Sequence, residues 1–124
     1  MPSAILIVEA DRHSREGLRD ALVHEGYAVE TAADSWQAIS KLRERPFKVA
    51  IVDLYLPPVH GVSVSGWDLV RIFRAYRPAI AVIVVSAEGD VTLPTRADLL
   101  RVAEVLEKPI SPTHVTAIVR RLGA

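Results

Sequence analysis

The 124-residue sequence contains no cysteine, which excludes disulfide bonds, thiol catalysis and cysteine-based zinc sites. It also lacks an excess of either charge, because 15 basic side chains are matched by 15 acidic ones. A formal net charge of zero gives no electrostatic reason to expect a nucleic-acid partner or an anionic membrane surface. The chain lacks an apolar stretch of transmembrane length and, at its start, the pattern of a signal peptide. We therefore expect a cytoplasmic protein that contacts neither nucleic acid nor membrane directly.

The sequence does contain enough apolar residues for a complete core. Hydrophobic residues make up 50% of the chain, a proportion at which extended disorder is not expected. No internal repeat, low-complexity segment or linker interrupts it. Residues 1–124 are therefore predicted to form a single domain.

Short apolar runs alternate with amphipathic segments five times along the chain. This alternation predicts right-handed crossovers and a parallel sheet with helices on both faces. The two most apolar runs, the third and fourth, are expected at the centre of the sheet. We predict an α/β fold, a flavodoxin-like (βα)5 three-layer sandwich whose five parallel strands lie in the order 2-1-3-4-5. The predicted strands are 4–8, 27–31, 48–53, 79–85 and 103–107, and the predicted helices are 14–25, 35–45, 67–76, 95–102 and 112–122.

The third predicted strand runs through four apolar residues directly into Asp53. A strand buried on both faces does not accommodate a charge, so Asp53 is expected where the strand leaves the sheet. Open α/β sheets place their chemistry at the carboxyl ends of central strands. Asp53 is therefore a candidate functional residue, although a turn or capping role would suit the same position.

Three other polar residues follow predicted strands directly: Glu9, Ser86 and Lys108. The predicted strand order brings them to the same end of the sheet as Asp53. Clustered carboxylates favour a hard divalent cation such as Mg²⁺. A carboxylate beside Mg²⁺ and an ammonium group can accept a phosphoryl group, and a nearby hydroxyl can donate a hydrogen bond to it.

From Ile5 to Leu122 the chain resembles the receiver domain of bacterial two-component response regulators. Four motifs carry the resemblance, in order at the ends of predicted strands one, three, four and five: ILIVE (5–9), VDLYLP (52–57), VVSA (84–87) and LEKP (106–109). The resemblance implies a signalling domain, not an enzyme, with Asp53 as phosphoacceptor, Ser86 as switch hydroxyl and Lys108 as the phosphate-pairing lysine. It further implies Mg²⁺ as cofactor, held by Glu9, Asp53 and the backbone carbonyl of Tyr55.

The same resemblance implies the partners. The phosphoryl donor would be a histidine kinase or a histidine phosphotransfer protein. The face formed by the fourth predicted helix, the fifth strand and the fifth helix is a candidate homodimer interface. The Lys108–Pro109 bond is often cis in this family. Both a stand-alone receiver and one domain of a longer chain are compatible with the sequence.

Three positions depart from the family pattern. The second of the two usual acids after strand one is replaced by Ala10, so weaker Mg²⁺ binding is expected; Asp11 is predicted to cap the following helix instead of substituting for that acid. Val105 stands where the family commonly has a switching aromatic ring, and valine is stiff at χ1. Residues 62–65 resemble an insertion beside the active cleft, and the nearby His60 is expected to be an exposed loop residue.

Two interpretations of function stay open. The first is a phosphoacceptor switch, favoured by Asp53, Ser86 and Lys108. The second is a pseudo-receiver that binds partners independently of phosphorylation, favoured by Ala10 and Val105. A cofactor enzyme of the same topology is disfavoured, because the sequence has no glycine-rich dinucleotide or Walker loop.

Two further groups of residues have structural explanations. Trp36 and Trp67 lie at helical spacing with apolar residues, which predicts packing in or near the core. Arg71, Arg74 and Arg77 are predicted to form a solvated helix face.

Overall fold

The computed structural model describes residues 3–87, 97 and 99–124. Of the fourth predicted helix, 95–102, residues 95, 96 and 98 lie outside the described residues. The strands are β1 (Ala4–Val8), β2 (Ala28–Ala32), β3 (Val49–Asp53), β4 (Ala81–Ser86) and β5 (Glu104–Glu107). The helices are α1 (Arg12–His24), α2 (Ser35–Glu44), α3 (Gly66–Tyr76) and, as the last of the chain, α4 (Pro112–Arg121).

The five strands form one parallel sheet in the order β2-β1-β3-β4-β5, which confirms the predicted flavodoxin-like architecture. Every residue of β1 and β3 is buried. Their continuous apolar sequence suits this position, since both faces of a parallel sheet are covered by helices. The less apolar β2, in which polar and apolar residues are mixed, lies at one edge of the sheet.

Side-chain caps determine where the helices begin. Asp11 accepts a hydrogen bond from the Ser14 amide at 2.8 Å, so α1 begins at Arg12, two residues earlier than the helical spacing indicates. Ser65 and Asp68 form a capping box at the start of α3. Ser111 accepts a hydrogen bond from the His114 amide and is followed by a proline, so α4 begins at Pro112.

The core consists of two clusters, one on each face of the sheet. On one face, α2 and α3 pack their buried side chains, including Leu42 and Phe73, against the strands. On the other face, α1 and α4 contribute Leu22 and Ile118 among others. The predicted three-layer sandwich is therefore confirmed. Within the described ranges, no helix combines the length and the apolar character needed to cross a bilayer.

The packing prediction is confirmed for Trp67, which is buried, but wrong for Trp36, whose surface is 53% exposed. Trp36 lies on the outer side of α2, because neighbouring positions of that helix, Ser35 and Ala38, are the ones that face the core. Spacing along the helix places Trp36 near Ile39 but does not establish which of the two faces inward.

The prediction of a solvated arginine face is wrong for Arg74. Its half-buried guanidinium donates hydrogen bonds to the backbone carbonyls of Ile80, Leu100 and Arg101. These carbonyls lie past the end of α3 and just before β5, so Arg74 joins two distant segments. Arg71, one turn earlier on α3, is exposed as predicted.

Candidate functional site at the carboxyl end of the sheet

The strands deliver Glu9, Asp53, Ser86 and Lys108 to one end of the sheet. Asp53 and Ser86 are the last residues of β3 and β4, and the other two directly follow β1 and β5. In the sheet register, Val8 pairs with Val52 and Ser86 pairs with Glu107, so the carboxyl ends of these strands lie side by side. The predicted convergence therefore follows from strand order and register.

Lys108 joins the two carboxylates. Its Nζ lies 2.5 Å from Asp53 Oδ2 and 3.6 Å from Glu9 Oε1. Asp53 and Glu9 are only 4% and 5% exposed, so both carboxylates are largely removed from water. Such a buried acidic pair requires a cation, a proton or both to offset the repulsion between its charges.

The other oxygen of Asp53, Oδ1, accepts a hydrogen bond of 2.9 Å from the backbone amide of Tyr55. With Oδ2 bound to Lys108, the orientation of the carboxylate is determined from both sides. The Tyr55 side chain is largely exposed, so this residue contacts Asp53 through its backbone. The assignment of the Tyr55 carbonyl as a metal ligand stays a prediction.

The surroundings of Glu9 and Lys108 favour the protonated form of both side chains. Burial, followed by the hydrogen bond and the negative charge of Asp53, raises the pKa of Glu9 from 4.5 to about 8, although Lys108 acts in the opposite direction. Burial alone would lower the pKa of Lys108, but Asp53 and Glu9 together outweigh it, so that pKa is raised. At neutral pH the site therefore favours a charged Lys108 and a protonated Glu9, and a bound cation would compete with that proton.

Two buried oxygens of the site lack hydrogen-bond partners among the described residues: Glu9 Oε2 and Ser86 Oγ. Buried polar atoms of this kind are normally satisfied by water, an ion or a ligand. Glu9 and Asp53 fit Mg²⁺, which accepts one or two carboxylates and completes its shell with water. In the described part of the chain, this site included, no group of three or more His, Cys, Asp or Glu residues could hold a metal ion.

The segment after β1 shows why this site has only two carboxylates. Asp11 binds the start of α1, so it does not substitute for the acid that Ala10 replaces, as predicted. Arg15 donates to the backbone carbonyls of Glu9 and Ala10 at 2.9 and 3.2 Å. Arg15 was not predicted as a site residue. Its position six residues after Glu9 was the only indication in the sequence, and many helical arginines lie at a similar distance from a strand end without contacting it.

Gly66 is a second residue that the sequence analysis missed. A Cβ atom at this position would lie 2.3 Å from Leu54 Cα and 2.7 Å from the Asp53 carbonyl oxygen. The Gly66 amide also donates to the Leu54 carbonyl at 3.1 Å. The absence of a side chain therefore allows α3 to begin directly against the backbone that carries Asp53. A glycine directly after a helix cap was the available signal.

Two positions beside Lys108 agree with the sequence analysis. The Lys108–Pro109 peptide bond is cis. Val105 is half-buried and packs against the core on the α2 and α3 side, so a small side chain occupies the position where the family commonly has an aromatic ring.

The loop after β3 contains a tight turn in which Val59 and Val62 exchange two backbone hydrogen bonds of 2.9 Å. His60 and Gly61 both have positive φ angles, which this two-residue turn requires. His60 is exposed, as predicted. Val62 and Val64 line a groove with Trp36 of α2, whereas none of residues 57–65 is among the described residues that line the cleft at Asp53. Two of the four inserted residues thus line a groove beside α2, and none of the four lines the cleft at Asp53.

Comparison with known proteins agrees with this architecture. The Rhizobium meliloti acid tolerance regulatory protein ActR is 30% identical over 121 residues, covering 97% of this chain and 60% of ActR. A putative NtrX-like response regulator of Rickettsia felis is 26% identical over 117 residues, covering 94% of this chain and 24% of the relative. The chain thus spans between about a quarter and three fifths of the length of these relatives.

Solved structures show the same fold. A CheY-like response regulator receiver domain protein from Methanospirillum hungatei superposes with a TM-score of 0.87 at 24% identity, covering 99% of this chain and 95% of that one. The chemotaxis protein CheY4 of Vibrio cholerae has the same TM-score at 22% identity, covering 98% and 99%. The family profile for the response regulator receiver domain matches residues 5–120. This chain therefore belongs to the response regulator receiver domain family.

Proposed function

We propose that this domain accepts a phosphoryl group on Asp53 in a two-component phosphorelay and that phosphorylation changes its binding to a partner. The supporting observation is the contact between Lys108 Nζ and Asp53 Oδ2 beside a second buried carboxylate. The same ammonium group is placed to pair with the negative charge of a phosphoryl group on Asp53.

The proposed transfer is a displacement at phosphorus. An oxygen of Asp53 attacks the phosphorus of a phosphohistidine, the new P–O bond forms as the P–N bond breaks, and the leaving imidazole takes a proton. Lys108, already beside Asp53, pairs with the charge on the phosphoryl oxygens. The Ser86 hydroxyl, which has no partner among the residues described, donates to one of those oxygens.

Glu9, Asp53 and the Tyr55 carbonyl are the groups that would hold Mg²⁺. When bound, Mg²⁺ supplies charge neutralisation at the phosphoryl oxygens. The missing acid at Ala10 makes this site weaker than one with three carboxylates.

The proposed partner is a histidine kinase or a histidine phosphotransfer protein, as expected for this family. Val105 offers no ring to rotate, so the response to phosphorylation depends on groups other than an aromatic switch. The homodimer face also stays a proposal. Three residues of its fourth predicted helix (95, 96 and 98) lie outside the described residues, whereas β5 and α4 are described.

Incubation with acetyl phosphate and Mg²⁺, followed by intact mass measurement, tests the proposal. We expect an adduct of one phosphoryl group that is lost with Asp53→Asn. Asp34→Asn is the matched control, because asparagine caps a helix as well as aspartate does and α2 should persist. An unmodified native chain, or an adduct that persists in Asp53→Asn, contradicts the assignment.

A second candidate is the pseudo-receiver, which Ala10 and Val105 favour and with which the Lys108 contacts are also compatible. Lys108 alone already supplies a cation to both carboxylates, so the fold is complete without a metal. In that case millimolar Mg²⁺ should not change the thermal midpoint of the native chain, and Asp53→Asn should leave partner binding unchanged. A saturable Mg²⁺-dependent shift in the midpoint excludes this alternative.

A further inference from the structure

A groove of about 640 Å³ runs along the outer side of α2. Helix α2 forms one wall, and Val62 and Val64 of the loop after β3 form the other. The described residues that line this groove are all different from those that line the cleft at Asp53. The proposed phosphoryl transfer therefore makes no use of it.

The groove exposes large apolar side chains to solvent. Trp36 is 53% exposed and Val62 is 49% exposed. The Trp36 ring makes an edge-to-face contact with His60 of the loop, with 6.4 Å between the ring centroids. Trp36 thus contacts the loop on one side, while about half of its surface faces water. Apolar surface of this kind, bordered by polar residues, is typical of protein interaction sites.

The α2 wall contains a stripe of four residues with a symmetric order. They are Trp36, Ile39, Ser40 and Arg43, and their spacing places them on the same side of the helix. The midpoint of the stripe lies between Ile39 and Ser40, with Trp36 at one end and Arg43 at the other. If two such stripes cross antiparallel at that midpoint, the Trp36 of each copy lies opposite the Arg43 of the other. A guanidinium group over an indole ring is a favourable cation–π pair.

The charges along the groove also suit a second copy. Lys41 and Arg45 lie 3.4 and 3.9 Å from Glu30, whereas the exposed Arg43 has no ion-pair partner among the residues described. Arg43 and Glu44 are the charged residues that line the described groove, so the groove carries no net charge. The whole chain has a formal net charge of zero as well. Two copies therefore approach each other without net repulsion.

We propose that this groove is an interface between two copies of the chain, in which the α2 helices cross antiparallel and Trp36 packs on Arg43 of the partner subunit. The small side chain of Ser40 at the crossing point lets the helices approach closely. A two-fold interface requires a surface that is complementary to itself, and the symmetric stripe meets that requirement. This face differs from the candidate homodimer face of β5 and α4, and its use does not depend on phosphoryl transfer.

Sedimentation velocity of the native chain, without phosphodonor or Mg²⁺, tests the proposal. We expect a reversible monomer–dimer equilibrium between about 10 µM and about 1 mM, the range of weak association. A chain that remains monomeric throughout this range overturns the proposal.

Amide chemical shifts of the ¹⁵N-labelled chain, recorded on dilution over the same range, test the location of the interface. We expect the concentration-dependent changes at residues 36–44 and 62–64. Changes confined to residues 104–107 and 112–121 would assign the contact to the face of β5 and α4 instead, and would overturn the proposal.

Trp36→Ala removes the exposed ring, and alanine preserves the helix. The dimer should dissociate at least about tenfold more readily, because a buried tryptophan is a common centre of binding energy in interfaces. Tyr76→Ala is the matched control, since Tyr76 is an aromatic residue of α3 that is 50% exposed. An unchanged dissociation constant in Trp36→Ala, or an equal loss in Tyr76→Ala, contradicts the interface.

An exchange of the two end residues tests their pairing directly. Trp36→Arg places two arginines opposite each other, so the variant should be monomeric over the whole concentration range. Trp36→Arg combined with Arg43→Trp restores an indole opposite each guanidinium, and its dissociation constant should return to within about tenfold of the native value. Circular dichroism verifies that both variants are folded. A folded double variant that stays monomeric overturns the pairing of positions 36 and 43.

Discussion

Glu9 is a carboxyl group held almost entirely away from water. Its pKa of about 8 lies above the ordinary value of 4.5, chiefly because of burial and secondly because of Asp53. Between these two values the unfolded chain releases the Glu9 proton while the folded chain retains it. The free energy of unfolding should therefore fall as the pH rises from about 4.5 to about 8 and become level above that range.

Glu9→Gln should flatten this pH dependence, because glutamine does not titrate. The measurement is the urea midpoint of both chains across the same pH range without Mg²⁺. Glu16→Gln, on the exposed side of α1, should keep the slope of the native chain. Parallel curves for the native chain and Glu9→Gln would show that Glu9 does not retain its proton.

Ala10 determines how many carboxylates the site offers. Ala10→Asp adds an acid next to Glu9, so Mg²⁺ should bind roughly tenfold more tightly. Isothermal titration calorimetry measures the change, and Ala10→Asn is the control of equal shape without the charge. Equal affinities for the aspartate and asparagine variants would mean that a side chain at position 10 does not reach the metal.

At the level of elements, two helical glycines should respond to alanine in opposite directions. Gly66→Ala pushes the start of α3 off the Asp53–Leu54 backbone and should lower the free energy of unfolding by about 1–3 kcal/mol. Gly17→Ala meets no atom and should raise it by about 1 kcal/mol. Urea denaturation of both variants checks the pair, and a tolerated Gly66→Ala would contradict the close approach.

Arg74 connects the end of α3 to the segment before β5. Arg74→Met keeps the aliphatic length but removes the donors to Leu100 and Arg101, so we expect a loss of about 2 kcal/mol. Hydrogen exchange should become faster at the amides of residues 99–103. Arg71→Met, on the exposed side of the same helix, should change neither the free energy of unfolding nor these exchange rates. If both variants gave the same result, Arg74 would not connect α3 to the segment before β5.

At the level of the whole molecule, the sheet separates two apolar clusters but joins them into one cooperative unit. Phe73→Leu on the α3 side and Ile118→Val on the α4 side should each cost roughly 1 kcal/mol. Their effects should add within about 0.5 kcal/mol, because the side chains share no contact. Urea unfolding followed by circular dichroism and tryptophan fluorescence should show one transition, whereas two transitions would mean that the faces unfold separately.

The local order of residues was sufficient to predict the strands, the sheet order and the four polar residues at its carboxyl end. An apolar run that ends in a polar residue indicates where the strand ends. It also indicates that this polar residue lies at the carboxyl end of the sheet. The caps at Asp11 and Ser111 were predictable for the same reason, because capping depends on neighbours along the chain.

Contacts between distant segments were not predictable in this way. Arg74 reaches carbonyls 26 and 27 residues away, and Gly66 is restricted by the backbone at Asp53 and Leu54, twelve or more residues earlier. Periodicity places Trp36 on a helix without specifying which side faces the core, and it does not show that Val62 and Val64 line a groove with that helix. These features depend on which surfaces meet after folding, whereas the strand ends and helix caps depend only on residues adjacent in sequence.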